Sequence, residues 1–454
     1  MRKRIITVFA AIILLLALPM GAFAAWPSSI LSDSGVKMYS EIYLLANADT
    51  GEILLGRDTV RHTPPASLTK IATAAVVLEE CSDLTQRAAV QQRDLDEISD
   101  TNSSTAGLRL GESRTLRELL ACLLIPSGND AATVLARYVG GTIPAFVEKM
   151  NAFAKSAGCT DTVFTNPHGL DELGHYSCAA DILKMTRKAM EYPVFAELCA
   201  LRDFKLPASG GIPERKLLNT NKLMNSGIND YYSPYATGVK TGNTDGAGQC
   251  VVGFAQHNGY SYYTVVMQGK MMNVDDDEID ENTAFVDSKA LFAWAFDRLR
   301  LVRVASPLDV AAEVPLLYSK ERDRMPLSPA EEIYLLVPDG VDASGLLTVP
   351  VADSIPAELK APVAQGTPAG EAKILYANKE IASIKLVTQT DARRSSFLYA
   401  VDVIGDVAGS LPFRLVAAVL LLLIAGYVFF TFRKRRKKLT PRPVAPGVRR
   451  KDNL

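Results

Sequence analysis

From Glu41 the chain alternates short apolar runs with clusters of turn residues. Ile42-Tyr43-Leu44-Leu45, the polar segment Asn47 to Gly51 and then Ile53-Leu54-Leu55 predict a β-hairpin. It leads into Pro64-Pro65-Ala66-Ser67-Leu68-Thr69-Lys70 and the unbroken apolar run Ile71 to Leu78. Proline is excluded from a helix interior but tolerated at its start, so a helix is expected from Ala66 or Ser67 to about Glu80. Between Thr85 and Gly111 the residues are polar and rich in Ser, Thr and Asp, which predicts a surface excursion, with Asn102-Ser103-Ser104-Thr105 at the rim of a cleft. Helical spacing covers Thr115 to Ile125, stops at Pro126, and resumes after Asn129-Asp130 up to Gly140-Gly141. Ser127-Gly128-Asn129 therefore falls in a short inter-helix turn. Further helices are expected at Ile143 to Ala157 and Ala179 to Met190.

The period then changes. Thr237 to Thr241, Cys250 to Ala255 and Tyr262 to Met267, separated by Gly242 to Gly248 and by Asn258-Gly259, predict three strands joined by tight turns. A last helix is expected from about Thr283 to Leu299. From Val304 to about Phe397, short strands such as Ile333 to Val337 and Ile384 to Val387, punctuated by Pro and Gly, predict a separate all-β domain. The fold class is therefore α+β: an antiparallel sheet flanked by helices, an all-helical lobe, then a small β domain.

The two ends carry a different pattern. Arg2-Lys3-Arg4, the apolar stretch Ile5 to Leu18 and Ala22-Phe23-Ala24 have the layout of a secretory signal peptide over residues 1–24. Leu415 to Phe432 is uncharged and long enough to span a bilayer, and six consecutive basic residues, Arg433 to Lys438, follow it. Positive charge is retained on the cytoplasmic side, so the body is expected outside the cell membrane and the tail 433–454 inside.

Composition excludes more than it assigns. Lys+Arg 49 against Asp+Glu 50 leaves no basic surplus for a nucleic acid partner. Six cysteines in an exported chain can form disulfides, but their spacing contains no C-x-x-C, and the four histidines show no H-x-x-x-H. No metal site and no cofactor are expected. The acidic run Asp275 to Glu278 with Asp280-Glu281 lacks the alternating spacing of a calcium loop and reads as a solvated cluster before a helix.

The chemistry lies in three short motifs. Ser67 and Lys70, three residues apart at a helix start, share a helix face, which brings a hydroxyl nucleophile within reach of an amine. Ser127-Gly128-Asn129 and Lys240-Thr241-Gly242 follow in order. Together they resemble the signature of β-lactamases and penicillin-binding proteins. Ala46-Asn47-Ala48-Asp49-Thr50-Gly51, Thr165-Asn166-Pro167-His168-Gly169-Leu170 and Leu218-Asn219-Thr220-Asn221-Lys222-Leu223 narrow the likeness. Over residues 38 to 300 the chain resembles the low-molecular-mass D-alanyl-D-alanine carboxypeptidases, serine peptidases of the SxxK type. Lys360-Ala361-Pro362-Val363 with Gly366 and Gly370 resembles the family's C-terminal β domain.

That resemblance implies a β-lactamase/transpeptidase-like catalytic domain at 25–300, an all-β domain at 304–397, a transmembrane helix at 415–432 and a cytoplasmic tail. It implies removal of the last D-alanine from peptidoglycan stem peptides ending in D-Ala-D-Ala, and acylation by β-lactams. In this reading Ser67 is the nucleophile, Lys70 its base, Ser127 a proton carrier and Asn129 an amide for substrate or Lys70. Lys240, Thr241 and Gly242 hold the substrate carboxylate, and backbone N–H groups of Ser67 and near Asn243 bind the oxyanion. Asn219, Asn221, His168 and His175 are expected to be scaffold. Asn243 departs from the histidine or aromatic residue common in the family at that position, which bears on substrate range. Two alternatives stand beside this reading: a β-lactamase, for which Gly128 replaces the aspartate of the class A second motif and Glu172 is the nearest carboxylate, and a membrane-tethered penicillin sensor without turnover.

Overall fold

The computed structural model describes residues 30–437, apart from 32–34, 100, 102, 228–229, 276–279, 340 and 342. The signal segment 1–24, the end of the basic tail, Asn102 and most of the acidic run lie outside the described residues. Two compact units are present. One runs to Ser306 and includes Glu331–Val349 and Ala372–Ile384; the other comprises Pro307–Ala330, Pro350–Glu371 and the chain from Lys385 on.

The first unit is built on a five-stranded antiparallel sheet. Its order is Ile53–Arg57, Ile42–Asn47, Tyr260–Gly269, Gly248–His257, Ala236–Thr244, which leaves Ala236–Thr244 as an edge. Gly242 lies within that strand rather than in the turn after it. Helix Thr283–Arg298 packs on the strands Gly248–His257 and Tyr260–Gly269. Helix Ala179–Met190 lies against both strand Tyr260–Gly269 and helix Thr69–Glu80.

The helical lobe surrounds Thr69–Glu80, which is buried from Thr69 to Val77 against Leu116–Leu124, Asn129–Gly140 and Ile143–Ser156. A helix apolar on every side is a core helix, so its start is held rigidly. Leu116–Leu124 begins on a reciprocal cap: Glu118 N donates to Thr115 Oγ1 at 3.1 Å and Thr115 N to Glu118 Oε2 at 2.9 Å.

Several elements differ from the sequence expectation. Residues 85–111 are not merely a surface excursion: they contain the strand Arg87–Ala89 and the helix Gln92–Asp96, and Ala88, Val90, Asp94, Ile98, Ala106 and Leu108 are buried. Part of their polar character reflects internal pairing, with buried Asp94 at 3.1 Å from Arg137 Nε, and a second buried group follows just past the segment. Glu112 and Arg114 are fully buried and meet at 2.5 Å, with Arg215 on the same carboxylate at 3.0 Å. A hairpin, Asp203–Leu206 with Arg215–Leu218, has no counterpart among the expected elements, and a helix, Pro193–Ala200, precedes it. Part of the acidic run forms the short strand Asp280–Asn282, paired with Met271–Asn273. The strand Leu299–Ala305 continues directly from helix Thr283–Arg298 and pairs with Ile333–Pro338, so no break occurs at 300 to 304.

In the second unit Ala312–Leu317 pairs with Arg324–Pro329 and, in parallel, with Leu359–Lys360. Val314, Leu316, Met325, Leu327 and Leu386 form its buried interior. Before the apolar C-terminal segment comes a helix, Ser396–Gly409, followed by Leu411–Lys437. Within the latter, Leu411–Lys434 is the one helix among the described residues long and apolar enough to cross a membrane, with mean hydropathy 2.6.

Candidate active site

Ser67 sits in a single 3-10 turn, Ala66–Leu68, that runs straight into helix Thr69–Glu80. The prolines bring the chain in and the apolar run buries the helix behind it, so the hydroxyl stands at the mouth of a cavity of about 770 Å³. Lys70, three residues on, is fully buried beneath it. Its Nζ lies 2.8 Å from Ser67 Oγ, 2.6 Å from Asn129 Oδ1 and 2.7 Å from the His168 carbonyl oxygen.

Those three partners fix the protonation state that the site favours. Burial, and next the neighbouring Lys240 charge, hold the Lys70 amine well below the usual lysine range. A neutral amine has two N–H donors and one lone pair. Asn129 Oδ1 and the His168 carbonyl can only accept, so they take the two N–H groups. Ser67 Oγ, the one partner that can donate, then faces the lone pair.

The main-chain oxygen of His168 is a contribution that sequence reasoning did not assign. The loop 165–175 that carries it packs on the helix start. Thr165 N donates to His175 Nδ1 at 3.0 Å, so His175 Nε2 carries the proton and donates to Thr69 Oγ1 at 2.9 Å. Burial keeps the imidazole neutral, with its pKa lowered to about 4. Gly169 is required there: its φ is +87°, and a Cβ would stand 1.9 Å from the Ala66 carbonyl oxygen. His168 itself lines the cavity. Both histidines, expected to be scaffold, thus serve the site through hydrogen bonds.

A second hydrogen-bonded group faces the same cavity. Lys240, buried on the edge strand, donates to Ser127 Oγ at 2.8 Å and to the Thr241 carbonyl at 2.9 Å. Burial lowers its pKa to about 7. Thr241 Oγ1 shares a 2.5 Å hydrogen bond with Thr220 Oγ1, another residue that sequence reasoning did not single out. Ser127 has φ +65°, an uncommon conformation for a residue with a side chain, and Gly128 follows it. A Cβ on Gly128 would lie 2.6 Å from Asp130 Oδ1 and 2.7 Å from the Cys122 carbonyl, so no side chain fits there.

Asp130 fixes the opposite rim. Its Oδ1 accepts from Ala106 N and its Oδ2 from Leu108 N, each at 2.9 Å, while Asn129 N donates to the Ser104 carbonyl. Thr101, Ser103 and Ser104 accordingly line the cavity. On the other side the edge strand passes close to the nucleophile: a Cβ on Gly242 would be 3.1 Å from Ser67 N. Asn219 and Asn221 are scaffold in geometry, donating to the Leu201 and Gly238 carbonyls at 2.8 Å each. The six cysteines are free thiols. Of the elements sought for a metal, Asp161, Cys178 and Asp181 do converge. Asp181 Oδ2 accepts from Thr160 N, Asp161 N and Thr162 Oγ1, and Oδ1 from Lys184 Nζ, so this carboxylate pins the loop 160–162 and pairs with a lysine.

A family model described as D-alanyl-D-alanine carboxypeptidase matches residues 30–271, and one described as penicillin-binding protein 5, C-terminal domain, matches residues 307–394. D-alanyl-D-alanine carboxypeptidase DacF of Bacillus subtilis (strain 168) is 26% identical over 399 residues, which cover 87% of this chain and 96% of the relative. DacB2 of Mycobacterium tuberculosis, also a D-alanyl-D-alanine carboxypeptidase, is 34% identical over 261 residues, 57% of this chain and 82% of the relative. Among solved structures, penicillin-binding protein 5 of Haemophilus influenzae superposes with a TM-score of 0.57 at 25% identity, covering 79% of this chain and 98% of the other.

Proposed function

This chain belongs to the D-alanyl-D-alanine carboxypeptidase family, and we infer that it is a serine hydrolase removing the terminal D-alanine of peptidoglycan stem pentapeptides. The observation that carries the reading is the 2.8 Å contact between Ser67 Oγ and the buried Lys70 Nζ; with Lys70 neutral, Asn129 Oδ1 and the His168 carbonyl take its two N–H groups and the lone pair faces Ser67. As Ser67 Oγ bonds to the carbonyl carbon between the two D-alanines, its proton passes to Lys70. The tetrahedral oxyanion lies between the backbone N–H of Ser67 and that of the strand near Asn243. Breakage of the C–N bond returns a proton to the departing amine, by way of Ser127. Water, deprotonated by Lys70, then cleaves the ester and frees Ser67.

Lys240 and Thr241, with Gly242 keeping the strand close, receive the substrate carboxylate. An incoming carboxylate favours the charged form of Lys240, and that charge in turn disfavours a proton on Lys70. A β-lactam follows the same first step, but its leaving nitrogen stays tethered to the acyl group, so the ester is shielded from water and is released slowly. Gly128 has no room for the aspartate of a class A β-lactamase. Glu172 is engaged by Thr165 Oγ1 and Asn166 Nδ2 and is not among the cavity-lining residues, which disfavours it as a deacylating base.

Residues 1–24 act as an export signal, 25–300 as the catalytic domain and 304–397 as a β pedestal, with the span at Leu411–Lys434 and the basic tail inside the cell membrane. The charge asymmetry around the apolar helix supports this orientation. The test is D-alanine release from a peptide ending in Lys-D-Ala-D-Ala by wild type and Ser67→Ala. Release by wild type alone is expected. No release from either protein favours the sensor, and fast penicillin turnover the β-lactamase.

A further inference from the structure

The hydrolase reading fixes a direction along the edge strand, and the assignment of a side-chain subsite on the acyl side of the cleft rests on that reading. The substrate carboxylate lies at Lys240 and Thr241, and the scissile carbonyl beside Gly242, where the strand approaches Ser67 N. Residues on the acyl side of the scissile bond must then run past Asn243 and Thr244 toward Asp245. At roughly 3.3 Å per strand residue, the strand's last residue, Thr244, is about 7 Å beyond Gly242, and Asp245 opens the turn just after it, at most about 10 Å from Gly242. In an extended peptide, the Cα of the residue preceding the two D-alanines is about 5 Å from the scissile carbon, and a lysine-length side chain adds about 6 Å. Because side chains stand roughly perpendicular to an extended chain, the ammonium ends about 8 Å from the scissile carbon, and an aspartate side chain reaching back from the turn can close the remaining gap.

The charge along this path is uneven. The cavity-lining residues include two carboxylates, Asp171 and Asp245, and no Lys or Arg. Asp171 has both oxygens engaged, accepting from Thr244 Oγ1 at 2.7 Å and Gly246 N at 2.8 Å, and so ties the loop after His168 to the end of the edge strand. Asp245 is exposed and has no hydrogen bond or ion pair among the described residues. The buried amine of Lys240 therefore stands at one end of the cleft and two carboxylates at the other, complementary to a peptide with an anionic terminus and a cationic side chain.

We propose that Asp245 is a specificity residue whose carboxylate receives the side-chain ammonium of a diamino acid preceding D-Ala-D-Ala, with Asp171 adding to the field. Two substrates separate this from the reading beneath it: Nα-acetyl-Lys-D-Ala-D-Ala with a free ε-ammonium, and the same peptide acetylated on Nε. The readout is the ratio of their kcat/KM values within each variant, so differences in folded fraction cancel. Wild type should favour the free ammonium about two- to fivefold at low salt, the range of an exposed ion pair, and less as salt rises. Asp245→Asn should bring the ratio to about one, and Asp245→Lys should invert it. An equal ratio in wild type and Asp245→Asn, or a wild-type preference for the acetylated peptide, overturns the proposal. Cleavage of neither peptide by wild type overturns the hydrolase reading and this one with it, a result distinct from cleavage without preference.

Discussion

Asn129→Asp tests the central proton assignment with almost no change of shape. Asn129 is buried and its Oδ1 is 2.6 Å from Lys70 Nζ, so the substitution places a carboxylate oxygen in direct contact with the base. Lys70 is active when neutral, and acylation falls as pH drops through its pKa. A contacting carboxylate favours the ammonium and raises that pKa, by about 1–3 units for an opposite charge at this range. The acid limb of the acylation profile should move to higher pH by the same amount. At a fixed pH below the limb the rate should fall about 10- to 1000-fold, since each unit is a factor of ten. Stopped-flow acylation by a fluorescent penicillin, followed from about pH 5 to pH 10, measures the limb directly. Loss of the Lys240 charge at alkaline pH affects both proteins alike, so the ratio of variant to wild-type rate should return toward one at the alkaline end, which separates a protonated base from a misfolded variant. An acid limb that stays in place, or shifts to lower pH, refutes the assignment of Lys70 as the neutral base held by Asn129.

Lys240, with its pKa near 7 in the empty site, predicts a basic limb in kcat/KM: the cation that holds the substrate carboxylate is lost as pH rises through that value. A substrate ending in a carboxamide should lack the limb, and Lys240→Arg should remove it for the acid. Gly169→Ala requires a side chain at φ +87° and 1.9 Å from a carbonyl oxygen. Thermal unfolding should show a loss of about 2–5 kcal/mol, together with slower acylation as the His168 carbonyl withdraws from Lys70. Arg114→Ala leaves the buried Glu112 with one cationic partner instead of two, and denaturant titration should show a loss of about 3–5 kcal/mol.

The contact between Ser67 and Lys70 was legible because their spacing is a local property: two prolines, a serine and a lysine at i and i+3 define a helix start before any tertiary contact forms. Ser127-Gly128-Asn129 was legible as a turn for the same reason. What escaped was set by distant packing. The His168 carbonyl is a main-chain atom, and its only trace in the sequence is the loop Asn166-Pro167-His168-Gly169. Thr220 meets Thr241 across two elements with no shared pattern. The segment 85–111 read as surface because hydropathy counts Asp94 as solvent-seeking, whereas pairing with Arg137 lets it be buried. Helix Ser396–Gly409 was hidden by its continuity in composition with the apolar segment after it.

The two buried lysines have a consequence for the whole molecule. An amine moved from water into a protein interior without a carboxylate in contact gives up its hydration, and Lys70 and Lys240 find only neutral oxygens. Folding therefore works against itself at this one place, and the apolar helix behind Ser67 must offset the deficit. The same deficit makes the cleft receptive: a ligand that brings an anion next to Lys240 relieves part of it, so occupancy and global stability rise together. An enzyme arranged this way is least settled when empty, and its resting discomfort is the source of its reactivity.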